Sequence, residues 1–179
     1  MTEPPPEPHT IPPAETSPLA TLLEAVRRNR VDEPVAASCL WESTGASSSH
    51  YQNQDRRQGI DFQVFQLPFP QLQVMDPRLV RIAAGCSNEK HRHAHESIFV
   101  VLSGSGRIQI GHDTIDLEPG SVACVPRWVV HQSHNRSAEQ ELVLLAITDF
   151  GLTSAVLGNY DASTRLRHGG ADAFVSTSA

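Results

Sequence analysis

From Gly59 onward the chain breaks into short apolar runs separated by turn signals, and that rhythm admits few folds. Ile60, Phe62 and Val64 alternate with Asp61, Gln63 and Phe65, and later runs occupy 79–83, 98–102, 107–110, 114–117, 122–125 and 142–148. Alternation of this kind fits a strand with one buried face. Gly104-Ser105-Gly106, Gly111-His112-Asp113 and Glu118-Pro119-Gly120 punctuate the runs as turns, because glycine, proline and aspartate are the residues tight turns demand. With no helical segment between them, such strands call for an antiparallel sandwich or barrel rather than βαβ units. The expected fold is all-β, and 179 residues fit one core of ordinary size.

The flanks read differently. Seven of the thirteen prolines fall in the first eighteen residues, so 1–18 is expected to be an extended, disordered tail. Ser17-Pro18 then offers an N-cap with proline at the first helical position, and Leu19, Leu22, Leu23 and Val26 follow at helical spacing. A short helix to about Arg30 is expected, docking on its own domain or on a second copy. From Val31 to Tyr51 periodicity fades, so 19–58 reads as helix plus irregular arm. The barrel is placed at 59–160, with one more helix near Leu152–Leu157, and 161–179 as a weakly ordered tail.

Charge narrows the partners. A formal net charge of −6 and a single lysine, Lys90, argue against nucleic acid, which needs a basic footprint. No apolar stretch approaches a membrane span, and the N-terminus lacks a signal-peptide pattern. Three cysteines without CxxC spacing suit reduced thiols. Cys124 and Cys86 read as small core residues. The expectation is a cytoplasmic protein, without nucleic-acid or membrane partners.

Six of the nine histidines lie between His91 and His134. His91 and His93, two apart on a strand, aim at one point on the same face. His131, after the run that ends at Pro126, is placed to close the set. Three neutral imidazoles suit Fe(II), Zn(II), Cu(II) or Ni(II). His95 reads as a loop residue outside the metal's reach, with a partner behind a ligand or a replacement ligand as the alternatives, and His112 as a surface residue of a hairpin turn.

The spacing Gly85-(5)-His91-x-His93-(3)-Ser97-(6)-Gly104 resembles the first cupin motif, and Gly120-(5)-Pro126-x-Trp128-(2)-His131-(3)-Asn135 resembles the second. The resemblance implies a cupin-type double-stranded β-helix, or jelly-roll barrel, with His91, His93 and His131 as metal ligands. Two positions depart from the motif. Serine stands at 97 where glutamate usually serves as fourth ligand, and Glu96, one residue off, points to the opposite face. Trp128 stands where glycine is usual. Within the cupins, His-Arg-His at 91–93, the segment 99–106 and Pro-Arg-Trp-Val-Val-His at 126–131 are most similar to gentisate- and salicylate-type ring-cleaving dioxygenases, which hold Fe(II) on three histidines.

That resemblance implies an Fe(II) dioxygenase cleaving a small chelating substrate, a hydroxy-aromatic acid or similar, with O2; Zn, Mn, Ni or Cu are the alternative metals. A non-redox Zn or Mn isomerase, lyase or cyclase and a non-catalytic ligand-binding cupin are the competing readings. Arg81, on the strand leading to the metal pair, is expected to face the cavity and meet a substrate carboxylate. Arg127 at the mouth is a second candidate, Trp128 a stacking platform or a cover for the barrel mouth, and His134, on the loop after the ligand, a solvent-facing residue with an acid/base role as the alternative. A homodimer is expected, with the N-terminal helix and arm at the contact.

Overall fold

The computed structural model describes residues 17–28, 33–42 and 47–158. The 1–16 portion of the expected proline-rich tail and the whole of the expected C-terminal tail lie outside these residues. The first helix, α1 (Pro18–Arg27), starts where the sequence says it should: the Ser17 side chain accepts from the Ala20 N–H, and proline sits at the first helical position. It ends three residues short of Arg30. Helix α1 packs against the last element, α2 (Phe150–Leu157), so within one chain it docks on its own domain.

Nine strands lie between the helices: β1 (Ser48–Asp55), β2 (Ile60–Gln66), β3 (Asp76–Ile82), β4 (Ser97–Ser103), β5 (Gly106–Ile110), β6 (Asp113–Leu117), β7 (Val122–Val125), β8 (His131–Asn135) and β9 (Leu142–Thr148). They form a six-stranded sheet, β1-β2-β3-β9-β4-β7, facing a three-stranded sheet, β6-β5-β8, with antiparallel pairing throughout. The all-β expectation holds. Two strands correct it in detail. β1 occupies the end of the expected arm and pairs with β2 along its whole length. β8 occupies what was expected to be a loop after His131.

Alternation along the strands fills the interior. Val80 and Ile82 on β3, Phe99 and Val101 on β4, and Leu142, Leu144 and Ala146 on β9 meet Ile108, Leu117 and Val125 in one apolar core. Gly106 lets β5 approach β8 closely, since an added Cβ would collide with the His134 carbonyl oxygen. Cys124 corrects another expectation: it is exposed, because β7 turns Ala123 and Val125 inward. Among the described residues no helix is long and apolar enough to cross a membrane.

Candidate metal centre

His91 and His93 lie not on the expected strand but in the irregular segment between β3 and β4, which is laced onto β8 rather than left to wander. Asn135 N–H donates to the Cys86 carbonyl (2.9 Å), Asn88 N–H to the Ser133 carbonyl (3.1 Å), and His91 and His131 exchange both backbone bonds (3.1 and 2.8 Å). The Asn88 side chain accepts from the Ser133 N–H at 2.7 Å. These bonds fix the register, so His91 arrives beside His131. A second tether holds His93: the Trp128 N–H donates to its carbonyl at 2.8 Å. Trp128 reaches that position with φ of 63°, the left-handed region, which costs a non-glycine residue about 1–2 kcal/mol. Glycine, usual at this place in the motif, would adopt it freely.

The three imidazoles converge. One ligand atom from each of His91, His93 and His131 lies within 4.8 Å of the others, and these three form the one such cluster among the described residues. Each Nδ1 bonds a backbone carbonyl: Glu89 for His91 (2.8 Å), His95 for His93 (2.9 Å) and Val129 for His131 (3.0 Å). A carbonyl can only accept, so each Nδ1 carries a proton, which in the neutral ring leaves Nε2 with the lone pair. The Nε2 of His131 is buried without a partner. Burial, with the neighbouring His91 second, holds the His131 pKa down to about 3, so a proton does not fill the gap. Three imidazole nitrogens this close can hold a cation between them, and the donor set fits a divalent transition metal.

A cavity of about 70 Å³ opens beside the cluster. Ser97 lines it, 1% exposed, with an Oγ that has no partner. His95 lines it too, stacked on His93 with ring centroids 3.5 Å apart. It lies outside the ligand cluster as expected, but it is a buried wall of the cavity, not a remote loop residue. Burial and then the charge of Arg78 lower its pKa to about 3. Arg78 and Glu89, neither singled out in the sequence, bring the cavity its charge. Arg78 donates Nε to Asp76 at 2.9 Å and lies over the Phe150 ring at 4.8 Å.

The residues expected to serve catalysis are elsewhere. Arg81 faces outward and pairs with Glu141 at 3.1 Å, because β3 turns residues 78, 80 and 82 inward. Arg127 bonds the Ala94 carbonyl (3.0 Å) and the Asp149 carboxylate (3.2 Å), clipping the His93 loop to the start of α2. Burial raises the Asp149 pKa, but the Arg127 and Glu96 N–H hydrogen bonds and the Arg127 charge outweigh it and hold the carboxyl below its ordinary range. Trp128 is 44% exposed, with Arg92 over its ring at 5.9 Å. His134 lies on the outward face of β8 and bonds the Ser87 hydroxyl at 2.9 Å. None of these four lines the cavity. Glu96 is exposed and Ser97 buried, as alternation at that step requires.

Residues 78–148 match the model of the cupin domain family. An uncharacterised protein of Streptomyces coelicolor is 30% identical over 71 residues, which span 40% of this chain and 68% of that protein. The chain belongs to the cupin family. A cupin-2 domain from Rhodospirillum rubrum superposes with a TM-score of 0.51 at 17% identity, over 57% of this chain and 69% of that one, and shares the jelly-roll fold. The 1-hydroxy-2-naphthoate 1,2-dioxygenase of a Nocardioides species is 30% identical over 80 residues, 45% of this cupin. This cupin spans about a fifth, 21%, of that dioxygenase.

Proposed function

We propose that this cupin binds Fe(II) on His91, His93 and His131 and acts as a dioxygenase on a small chelating acid. The observation that carries the reading is three converging imidazoles with Ser97 at the place of the fourth, anionic ligand. Such a set leaves the ion its full charge and leaves room for a bidentate anion. Fe(II), when bound, supplies the one-electron and O2 chemistry that side chains lack. The chain's own residues orient the substrate. Arg78, in place of the expected Arg81, offers a guanidinium to a carboxylate, and the Ser97 hydroxyl offers a bond to a chelating oxygen.

Size sharpens the substrate class. The cavity is about 70 Å³, roughly half the ~150 Å³ that takes up a benzene. Even a 2-oxo acid or a diketone therefore keeps part of itself at the mouth, and a hydroxy-aromatic acid keeps most of its ring there. The Nocardioides relative, whose name is that of a dioxygenase for a hydroxy-aromatic acid, supports the reaction class. The test is oxygen uptake by anaerobically Fe(II)-loaded protein given gentisate, salicylate, pentane-2,4-dione and pyruvate. Uptake with at least one is expected, and none, with full zinc occupancy as isolated, sinks the reading.

One observation favours a second reading, a non-redox Zn(II) or Mn(II) isomerase or lyase on the same histidines: a carboxylate, Glu89, shares the cavity. Metal content of protein purified with and without air separates the two.

A further inference from the structure

The outer face of the six-stranded sheet is apolar across three strands where a wet face would be polar. On β4, β7 and β9 every second residue faces the interior. The residues between them point away from it, and they are apolar too. Ile98 stands opposite Ile147, and Val100 stands between Leu145 on β9 and Val122 on β7. An antiparallel sheet with one solvated face carries polar residues there, as the edge strand β1 does. Here Ile98, Leu102 and Val122 are 44%, 48% and 66% exposed, and exposed apolar patches of this extent mark contact surfaces. The three strands put no carboxylate or base on this face. Charges stand at its two ends: Arg81 pairs with Glu141 at 3.1 Å at one, and Arg127 with Glu96 at 3.6 Å and with Asp149 at the other.

We infer that this face joins two copies of the chain about a two-fold axis. A two-fold contact lays one patch on itself, so the patch has to be its own complement. Each copy carries a net charge of −6, and a patch of one sign would add to that repulsion. An uncharged apolar face is complementary to itself, and both ends hold an arginine beside an acid, so either sign finds its opposite across the axis. The shape agrees, since the partner of an apolar sheet face is another such face packed about 10 Å away. Size agrees as well. Three strands about 4.8 Å apart and about 23 Å long give an apolar centre of roughly 320 Å². With a polar rim, the face reaches the roughly 500 Å² per partner at which specific interfaces begin. The contact lies on the sheet rather than on the N-terminal helix and arm, and it is independent of what the cavity binds.

The experiment is sedimentation velocity of the full-length protein from high to low micromolar concentration. Wild type should run as a dimer at the top of the range and part on dilution. Val122→Arg should raise the dissociation constant about a hundredfold, because it buries a guanidinium against an apolar sheet, and should leave the circular dichroism spectrum unchanged. Val26→Arg, at an exposed position of α1, should leave the dimer intact. A second readout needs no variant. Cys124 lies on the same face and Cys39 outside the sheet, both exposed in a single chain. On dilution of wild type, labelling by a thiol reagent should accelerate several-fold at Cys124 and stay constant at Cys39, read by peptide mass spectrometry. A monomer at every concentration, a dimer that survives Val122→Arg or is lost in Val26→Arg, or Cys124 labelling indifferent to dilution overturns the inference. A monomer that labels slowly at Cys124 overturns it too, and gives the face to another segment of the same chain.

Discussion

The barrel interior has two ends built on the same strands. At one end Ile82, Ile108, Leu117, Leu142 and Leu144 are almost wholly buried and purely apolar. Four residues along two of those strands, at the other end, stand Arg78 on β3 and Thr148 on β9, with Ser97 from β4 and His131 from β8. The two ends are equally dry: Leu144 and His131 are both 0% exposed, and Ser97 is 1%. What separates them is satisfaction. At the apolar end the one-residue polar insert is bonded, the buried Asn135 amide donating to the Ile82 and Gln140 carbonyls, while toward the other end the Ser97 and Ser133 hydroxyls and the His131 Nε2 have no partners, each costing about 1–3 kcal/mol. A fold tolerates that where a ligand completes the bonds. One end therefore holds the barrel together and the other holds the guest.

The hardest test of that division is Arg78, a stability element at the binding end. Arg78→Met strands the buried Asp76 carboxylate and should lower unfolding stability by about 3–5 kcal/mol, measured by urea denaturation, with Asp76→Leu in the same chain restoring most of it. Leu144→Ala should cost about 2–5 kcal/mol yet leave zinc affinity within a few-fold of wild type by competition with a chromophoric chelator. A larger affinity loss would mean that the ends are coupled. His131→Ala reverses the pattern: the metal-free protein should lose no more than about 1 kcal/mol, since the change also removes a buried unsatisfied nitrogen. Metal affinity should fall beyond the roughly hundredfold that loss of an outer hydrogen bond to a ligand costs.

The smallest effect belongs to the Arg127–Asp149 clip outside the cavity. The folded Asp149 pKa lies below its ordinary value, so on acidification the unfolded chain takes up this proton first. The stabilisation is complete above about pH 4 and is lost as pH falls through the folded pKa. Arg127 is partly exposed, which keeps the effect below about 1 kcal/mol, and Arg127→Ala should flatten that limb of the stability profile.

Much of this was legible in the residues. Apolar alternation and turn glycines marked most of the strands, and the His-x-His spacing with a later histidine marked the cluster. What escaped shares one physical cause: strands whose burial is polar leave no apolar period. β1 reads Ser-Ser-His-Tyr-Gln-Asn-Gln-Asp because it is a sheet edge with one face wet. β8 reads His-Gln-Ser-His-Asn because its inward row is imidazole, hydroxyl and amide. Missing β8 put His134 on a loop when strand alternation turns it away. Placing the inward phase of β3 at Ala83, one residue past the strand's end, selected Arg81, whereas Ile82 and Val80 point to Arg78. His95 and Glu89 sit in irregular backbone, where no period operates.

The polar edge strand has a consequence for descent. Glu89 lies within the stretch that matches the family, 78–148, but the Tyr51 hydroxyl and the Asn53 amide, which grip its Oε1, come before that stretch. The carboxylate and its grip can therefore be inherited separately, so exchange of the leading segment among relatives would change what holds Glu89 in the cavity while the three histidines stayed in place. In such a lineage new chemistry would arrive from outside the recognisable domain.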